Sequence, residues 1–333
     1  MDAELLRRDG APRIVVVGAG VSGLTCAVCL LEAGAEVVVR TAGGPLGTVS
    51  AVAGAMVGPV FGDPSDPSVA WAVESDRRFR DLAGDDVTGV SIRRGRLLST
   101  PALGPGLPPW AQSVPGFAPC AAADLPPGFP GGFWAELPFV DMPRYLAWLV
   151  DRVGQFGGRI EPAIVTDLAG AARMYDGRAD VVVNCAGLGA VVLAGDDALV
   201  PVRGQHVIVD APHVREFVFE GGAAGTVMGV FPHRRRVVLG GVSQLGRVDL
   251  TPDPADTAGI LERCIAALPA LAGAPVIGVE VGLRPGRPSV RLERELRGDV
   301  AVVHDYGHEG NGVMLSWGCA RDVVALSLGP AVA

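Results

Sequence analysis

A glycine-rich turn between two apolar strands constrains this sequence more than any other feature. "RIVVV" at 13–17 is followed by "GAGVSG" at 18–23, an apolar helical pattern and a second strand, "AEVVVR", at 35–40. Strand, helix and strand in this order, with glycines spaced as G-x-G-x-x-G, are typical of a dinucleotide-binding unit with a parallel sheet. The sequence therefore predicts a Rossmann-like α/β fold at the start of the chain.

Each glycine of this turn has its own predicted task. Gly18 permits the tight turn, Gly20 lets a pyrophosphate approach the backbone, and Gly23 lets the helix pack closely on the strand. The helix then presents unpaired N–H groups and the positive end of its dipole to the phosphates. We therefore expect this turn, with Val21 and Ser22 at the start of the helix, to bind a dinucleotide.

The second strand ends differently from the usual pattern. Arg40 is its last residue, and no acidic residue stands there to bind the adenosine ribose. A hydroxyl or a backbone group can replace a carboxylate in this role. We therefore predict that Ser50 and the backbone of residues 40–44 take part in ribose binding.

Composition excludes several classes of function. The net charge is -8, and all 28 basic residues are arginine. Without a lysine, Schiff-base mechanisms are excluded, and an acidic chain is not suited to nucleic acid. The sequence has no apolar run long enough for a membrane span and no secretory leader, which favours the cytoplasm and no membrane partner.

The cysteines do not indicate a metal site. Six are scattered along the chain, and Cys26 and Cys29 form a C-x-x-C inside a predicted helix, with no second pair or histidine cluster. We interpret them as small helix residues and expect no bound metal.

The second half of the chain has a different strand pattern. "VRGQHVIVDA" at 202–211, "TVMGVFPHRRRVVLGGVS" at 226–243 and "VIGVEVGLRP" at 276–285 are β-patterns. They predict a second region built on a mostly antiparallel sheet.

Six motifs stand in order along the chain: "GAGVSGL" (18–24), "DMPRYLAWL" (141–149), "DVVVNCAGLGA" (180–190), "PVRGQHVIVDAP" (201–212), "GLRPGRPSVRLERE" (282–295) and "YGHEGNGVMLSWGCA" (306–320). Taken together, these motifs resemble the D-amino-acid oxidase family of flavoproteins. The resemblance covers nearly the whole chain. It implies a discontinuous FAD-binding domain (1–63, 143–200 and 290–333) and a substrate-binding domain (64–142 and 201–289).

The resemblance also implies an activity. The expected reaction is FAD-dependent oxidation of a carboxylate-bearing amine, either a D-amino acid or a bulkier N-substituted glycine or amino acid. A hydride passes from the substrate Cα to flavin N5, the imine hydrolyses in water, and O2 is reduced to hydrogen peroxide. Arg284 matches the family arginine that binds the substrate carboxylate, and a two-pronged guanidinium suits that task. The alternative is a structural arginine paired with an acid such as Glu280.

Further cofactor contacts follow from the same resemblance. Residues expected to cover the adenosine part of FAD are Val165, Ala186 and Gly187, and the loop expected to wrap the flavin contains Gly310, Asn311, Gly312, Val313 and Met314. The backbone of Gly310 is expected to reach both the flavin ring and the substrate amine. His308, in the same motif, is interpreted as a structural hydrogen-bonding residue.

The sequence departs from the family at the predicted substrate pocket. Small residues, Val57, Gly58, Val60 and Gly229, stand where bulky or aromatic ones are usual, and Glu309 replaces a common glycine. A hollowed pocket predicts a bulky substrate, because an unfilled cavity would cost stability. Misalignment by a residue or two, or a decayed site, would explain the same pattern.

Alternatives to the oxidase remain at this point. One is a glycine-oxidase-like enzyme that cleaves an N-carboxymethyl intermediate in specialised metabolism. Another is a non-catalytic flavin-binding protein, and a flavin-dependent dehydrogenase or hydroxylase is a minor third. The expected partners are a small amino-acid-like molecule and O2, and a homodimer is a possible assembly.

Overall fold

The structure is a computed structural model, which describes residues 10–58, 65–99, 107, 109–173, 175, 178–220 and 226–329. Its strands are β1 (Arg13–Val17), β2 (Glu36–Thr41), β3 (Val90–Ser99), β4 (Ala118–Pro119), β5 (Gly131–Val140), β6 (Arg159–Pro162), β7 (Val181–Asn184), β8 (Val200–Val209), β9 (Phe217–Glu220), β10 (Thr226–Pro232), β11 (Val237–Val242), β12 (Gln244–Leu245), β13 (Val276–Gly286), β14 (Arg291–Arg297) and β15 (Val300–Tyr306). Its α-helices are α1 (Val21–Glu32), α2 (Pro67–Leu82), α3 (Met142–Gln155), α4 (Leu168–Ala172), α5 (Ala190–Ala194), α6 (Pro254–Ala267) and α7 (Gly312–Leu328).

The first sheet is the predicted Rossmann-like layer. Its strand order is β14-β15-β7-β1-β2-β6, and every pair is parallel except β14 with β15. Ile14 and Val16 pack on the side of α1, α3 and α7, whereas Val15 and Val17 pack on the side of α4. Burial on both faces explains why β1 is a continuous apolar run.

The second sheet is mostly antiparallel, as predicted. Its order is β12-β8-β11-β10-β9-β3-β5-β4, β13 pairs with the other edge of β8, and β3 with β9 is the parallel exception. Helix α6 covers one face through Ile260 and Cys264, and Phe139, Phe217 and Phe231 pack on the other. The two sheets together confirm the predicted fold class.

The two sheets draw their strands from the predicted domain segments, with one residue of difference where β8 begins at Val200. Helix α2, which falls in a predicted substrate-binding segment, packs against α7. Trp71 Nε1 donates to Asp322 at 2.7 Å, and Ser75 Oγ accepts from the amides of Trp317 and Gly318, each at 3.1 Å. The exact domain boundaries remain a prediction.

Within the described ranges, no helix combines the length and apolar character that crossing a bilayer requires.

Candidate functional site

The backbone of the glycine turn agrees with the tasks predicted for it. Gly18 has φ +110°, and a Cβ there would overlap the carbonyl group of Cys185. A Cβ at Gly23 would overlap the Gly18 carbonyl group. Any side chain at these two positions would force the strand and helix apart, so the tight turn and the close packing both require glycine.

The start of α1 is arranged as an anion-binding end. Gly20 is the N-cap residue, and it has no side chain with which to cap the helix. The Val21 amide donates to Ser50 Oγ at 3.0 Å, so the hydroxyl predicted for ribose binding contacts the helix start, and its role toward the ribose stays a prediction. The other amides of the first turn, including that of Ser22, have no partner within the helix, and they remain able to bind phosphate.

Arg40, at the end of β2, forms an ion pair with Glu161 on β6. Arg159 also approaches Glu161, with its Nε 3.2 Å from Oε1. The acid missing from the end of β2 is therefore present on the neighbouring strand, where Glu161 is the register partner of Arg40. The sequence did not predict this, because the two residues come together only through strand order.

A cavity of about 660 Å³ extends along the carboxyl ends of β1, β2 and β7 and reaches β13 and the loop before α7. The predicted residues that line it are Gly18, Gly20, Val21, Ser22, Arg40, Ser50, Val165, Ala186, Gly187, Arg284, Glu309, Gly310, Gly312 and Val313. Gly23, Asn311 and Met314 are not among its lining residues. Gly23 acts through packing, Asn311 is the N-cap residue of α7, and Met314 packs against apolar clusters.

Arg284 lies in this cavity as a half-buried side chain. Its Nη1 donates to the carbonyl oxygen of Val242 at 3.2 Å, and no carboxylate in the described part of the chain lies within 4.0 Å. Glu280, the alternative partner, instead contacts Arg236, with Nη1 3.5 Å from Oε1. Burial lowers the pKa of Arg284, and the negative charge of Glu309 opposes that effect. The guanidinium is thus desolvated without a bound acid.

Gly204 provides the space for this guanidinium. It lies on β8 opposite Gly282 of β13, and a Cβ there would lie 2.6 Å from Cζ of Arg284. A Cβ at Gly282 would lie 2.9 Å from side-chain atoms of Val49 and Val52. The sequence analysis missed Gly204; a glycine inside a predicted strand was the signal for a close approach.

His206 is a second functional candidate that the sequence analysis missed. It lines the cavity, and its Nδ1 lies 2.9 Å from the carbonyl oxygen of Val52. Because a carbonyl only accepts, Nδ1 carries the proton and Nε2 is an acceptor. Burial, with a further contribution from Arg284, lowers the pKa of His206 to about 4. The ring is therefore neutral at physiological pH.

The loop before α7 brings Glu309 and Gly310 to the same place. The Glu309 amide donates to the carbonyl oxygen of Pro285 at 3.0 Å, which joins the loop to β13. A Cβ at Gly310 would lie 3.8 Å from Cδ of Arg284, so this glycine faces the arginine directly. His308 Nε2 lies 3.1 Å from Asp305 Oδ1 in a buried pair, and the structural role of this histidine stays a prediction.

The predicted enlargement of the substrate pocket is not seen at Gly229, Val57 or Gly58. Gly229 does not line the cavity, and a Cβ there would overlap the ring of Phe231, so a side chain already occupies the space. Val57 is fully buried in an apolar cluster, and Gly58 is also absent from the cavity wall. Val60 lies outside the described residues. The hypothesis of a hollow at Gly229 is therefore wrong, because same-strand packing fills it.

Buried cysteines lie behind the cavity. Cys26 Sγ is 3.3 Å from Asp305 Oδ2, and these two residues form a group with metal-ligand spacing together with Cys185. A second group of this kind consists of Asp305, His308 and Cys319. The hydrogen bond with Cys185, together with burial, raises the pKa of Cys26 well above its ordinary value. Burial likewise raises the pKa of Cys319. Metal binding requires thiolates, whereas this environment favours neutral thiols.

Comparison with known proteins identifies the class. The chain belongs to the DAO family, described as FAD dependent oxidoreductase, whose profile matches residues 13–326. It is 43% identical to a D-amino-acid oxidase of Rubrobacter xylanophilus over 317 residues, covering 95% of each chain. It is 40% identical to a D-amino-acid oxidase of Streptomyces coelicolor, covering 96% of this chain and 97% of that one. Its fold matches the crystal structure of glycine oxidase from Geobacillus kaustophilus, with a TM-score of 0.79 at 20% identity, covering 97% and 96% of the two chains.

The cofactor of the chain is accordingly FAD, and the residues of the cavity fit it. Gly18 and Gly20 line the cavity, and a Cβ at Gly20 would lie 3.1 Å from Ser50 Oγ on the same wall. The first turn of α1 faces this space. The cavity continues from residues 40–44 and 163–165 past this turn to Arg284 and Gly310. An elongated, glycine-lined space of this kind suits a dinucleotide.

Proposed function

We propose that this protein is an FAD-dependent oxidase of the D-amino-acid oxidase type. It oxidises a carboxylate-bearing amine to an imine that hydrolyses in water, and O2 is reduced to hydrogen peroxide. The names of the relatives at 43% and 40% identity support this assignment.

One observation carries the proposal. The Arg284 guanidinium lies half-buried in the cavity that also contains the dinucleotide turn, and no carboxylate of the described residues pairs with it. An arginine that has lost hydration without gaining an acid is stabilised by an anionic ligand. A substrate carboxylate can supply two parallel hydrogen bonds to the planar fork.

The residues around Arg284 then orient the rest of the substrate. The chemistry that bound FAD would supply is two-electron oxidation of the amine and reduction of O2. Arg284 holds the carboxylate, and the backbone of Gly310 faces the arginine, where its lack of a side chain lets the amine approach. The protein increases the reaction rate mainly by positioning, because the reacting groups are held close together.

The neutral ring of His206 has a different effect. A protonated imidazole next to Arg284 would add a second positive charge and repel the arginine, whereas the neutral ring leaves Arg284 as the cation for the carboxylate. Its Nδ1 is committed to the carbonyl of Val52, which fixes the ring orientation. We assign His206 as a positioning residue for the anion site.

A substrate panel tests the proposal. Purified, FAD-loaded protein is mixed anaerobically with D-alanine, D-methionine, their L-enantiomers and bulky N-alkyl glycines, and loss of the visible flavin absorbance is followed. We expect a D-amino acid to reduce the flavin, and air to restore it with formation of hydrogen peroxide. Faster reduction by N-alkyl glycines would favour the glycine-oxidase-like alternative. Flavin that no amine reduces would contradict the proposal and favour a non-catalytic flavoprotein.

The cytoplasmic location is also proposed, on the support of six cysteines that are all unpaired. A homodimer remains a prediction.

A further inference from the structure

The loop between β15 and α7 contains a glutamate in an unfavourable backbone conformation. Glu309 has φ +50°, in the left-handed region. Ala55 is the other residue with a Cβ that has a positive φ in the described ranges. This conformation costs energy for any residue with a Cβ, and glycine adopts it freely. Strain of this kind persists where the surrounding structure imposes it, and it is concentrated at functional sites.

The carboxylate of Glu309 has no structural partner that would account for it. Its side chain forms no hydrogen bond and no ion pair in the part of the chain that the structure describes, although its amide is bound to Pro285. The residue is exposed, and it lines the cavity together with Arg284 and Gly310. An unpaired negative charge therefore faces the space beside the anion site.

This charge acts on the substrate anchor. It opposes the effect of burial on the pKa of Arg284, so the two groups interact electrostatically although they form no ion pair within 4.0 Å. When the carboxylate of a substrate is bound at Arg284, the rest of the substrate lies near the negative charge of Glu309. Electrostatic interactions of this kind contribute more to selectivity than to total affinity.

We propose that Glu309 selects substrates by the charge of their side chains. It favours amines with an additional positive charge, such as D-lysine, and disfavours dicarboxylates, such as D-glutamate. This inference rests on the proposed function, because it takes the α-carboxylate to be bound at Arg284. Since Glu309 is exposed, solvent screens its charge and the effect per substrate charge is moderate, about fivefold.

The test compares near-isosteric substrates that differ in charge. For the FAD-loaded wild type and Glu309→Gln, kcat/KM is measured for D-lysine against D-norleucine and for D-glutamate against D-glutamine. Glutamine keeps the size and backbone of the residue and removes only its charge. We expect the variant to lower the lysine-to-norleucine ratio about fivefold and to raise the glutamate-to-glutamine ratio about fivefold, and added salt to reduce both differences.

A second variant separates charge from backbone strain. Glu309→Gly removes both, so it should shift the two ratios as Glu309→Gln does and also raise the melting temperature by about 1–3 °C. A shift of the ratios in the glycine variant alone would overturn the inference, because strain and not charge would then be responsible.

Binding without turnover provides an independent measurement. Calorimetry on the FAD-loaded protein compares caproate with ε-aminocaproate, which adds a positive charge at the far end of the chain. We expect the wild type to prefer ε-aminocaproate by about fivefold and Glu309→Gln to lose the preference. Equal affinities in the wild type, or unchanged ratios in the variant while D-amino acids are oxidised, would overturn charge selection and leave the proposed function intact. A wild type that oxidises no D-amino acid would overturn both.

Discussion

At the scale of single residues, the position of the Arg284 guanidinium depends on a glycine, Gly204, to which the sequence motifs assigned no role. Gly204 allows the Arg284 guanidinium to lie close to the β8 backbone, where a Cβ would be 2.6 Å from Cζ. The far end of an arginine can move, so a methyl group here would displace the anchor without disrupting the sheet. Gly204 is thus as much a part of the anion site as the arginine.

We expect Gly204→Ala to raise KM for the substrate by about tenfold or more, or ~1.4 kcal/mol, while FAD stays bound. The reason is displacement of the guanidinium from its position beside Val242. Gly278→Ala is the control on β13, because a Cβ there would lie 3.8 Å from Ile208, at an ordinary contact distance. Steady-state kinetics and the flavin-to-protein absorbance ratio check this. An unchanged KM in Gly204→Ala would show that substrate binding does not depend on the observed position of the Arg284 side chain.

Some residue-scale features could be predicted, and others could not. The glycines at 18, 20 and 23 were predictable, because their requirement is local and depends on a fixed spacing. The ion pair of Arg40 with Glu161 depends on the neighbouring positions of β2 and β6, which are 121 residues apart at this pair. Gly229 was misinterpreted because the ring of Phe231, two residues along the same strand, fills its space. Side-chain packing of that kind leaves no pattern in one sequence.

At the scale of elements, strand β8 contains a buried histidine, His206, that makes the stability of the fold depend on pH. Burial lowers the pKa of His206 to about 4 from an ordinary value of 6.5. Between these values the folded state binds fewer protons than the unfolded state, so stability rises with pH in this range. The stabilisation is complete above pH 6.5 and is lost as the pH falls towards 4.

We therefore expect the melting temperature of the wild type to fall between pH 6.5 and 4, and His206→Gln to show a smaller histidine-dependent slope. The remaining slope belongs to His233, whose pKa burial also lowers to about 4, and to His304, whose pKa burial also lowers. Glutamine can still donate to the carbonyl of Val52. Thermal melts of both proteins across this pH range check the prediction, and identical slopes would refute it.

The contact between α2 and α7 is the second feature at this scale. A Cβ at Gly318 would overlap the backbone of Trp71. Only a movement of α2 and α7 away from each other could relieve this overlap. We expect Gly318→Ala to lower the free energy of unfolding by about 1–3 kcal/mol. Gly154→Ala in α3 is the control, since a Cβ there meets nothing within 4 Å. Denaturant unfolding measures both, and equal stabilities would mean that the helices are not held as closely as described.

The elements themselves were largely predictable, because their signals are periodic. The buried run of β1 and the β-patterns of the second region were enough to predict the fold class. Helix α2 shows the limit of this approach. Its position in the chain placed it with the substrate-binding segments, but Ser75 and Trp71 bind it to α7. Which sheet a helix packs against depends on long-range contacts that local periodicity does not contain.

At the scale of the whole molecule, the cavity is assembled from segments that are far apart in the sequence. Residues 18–22, 40–44, 163–165, 280–285 and 305–313 all contribute to its walls. The first sheet supplies the dinucleotide turn, and the second sheet supplies Arg284 through its edge strand β13. The cavity therefore depends on both sheets together, and the central claim is that Arg284 holds a carboxylate beside the flavin.

Anaerobic reduction of the flavin by increasing concentrations of D-alanine, in the wild type, Arg284→Leu and Arg294→Leu, tests this claim most directly. Arg294 is the matched control, because its Nη1 donates to the carbonyl oxygen of Leu326 at 3.0 Å and it does not line the cavity. The account predicts that all three proteins bind FAD and that only Arg284→Leu needs about 30-fold more substrate or higher, ~2 kcal/mol, for half-maximal reduction. An Arg284→Leu protein that saturates with D-alanine as the wild type does would contradict it.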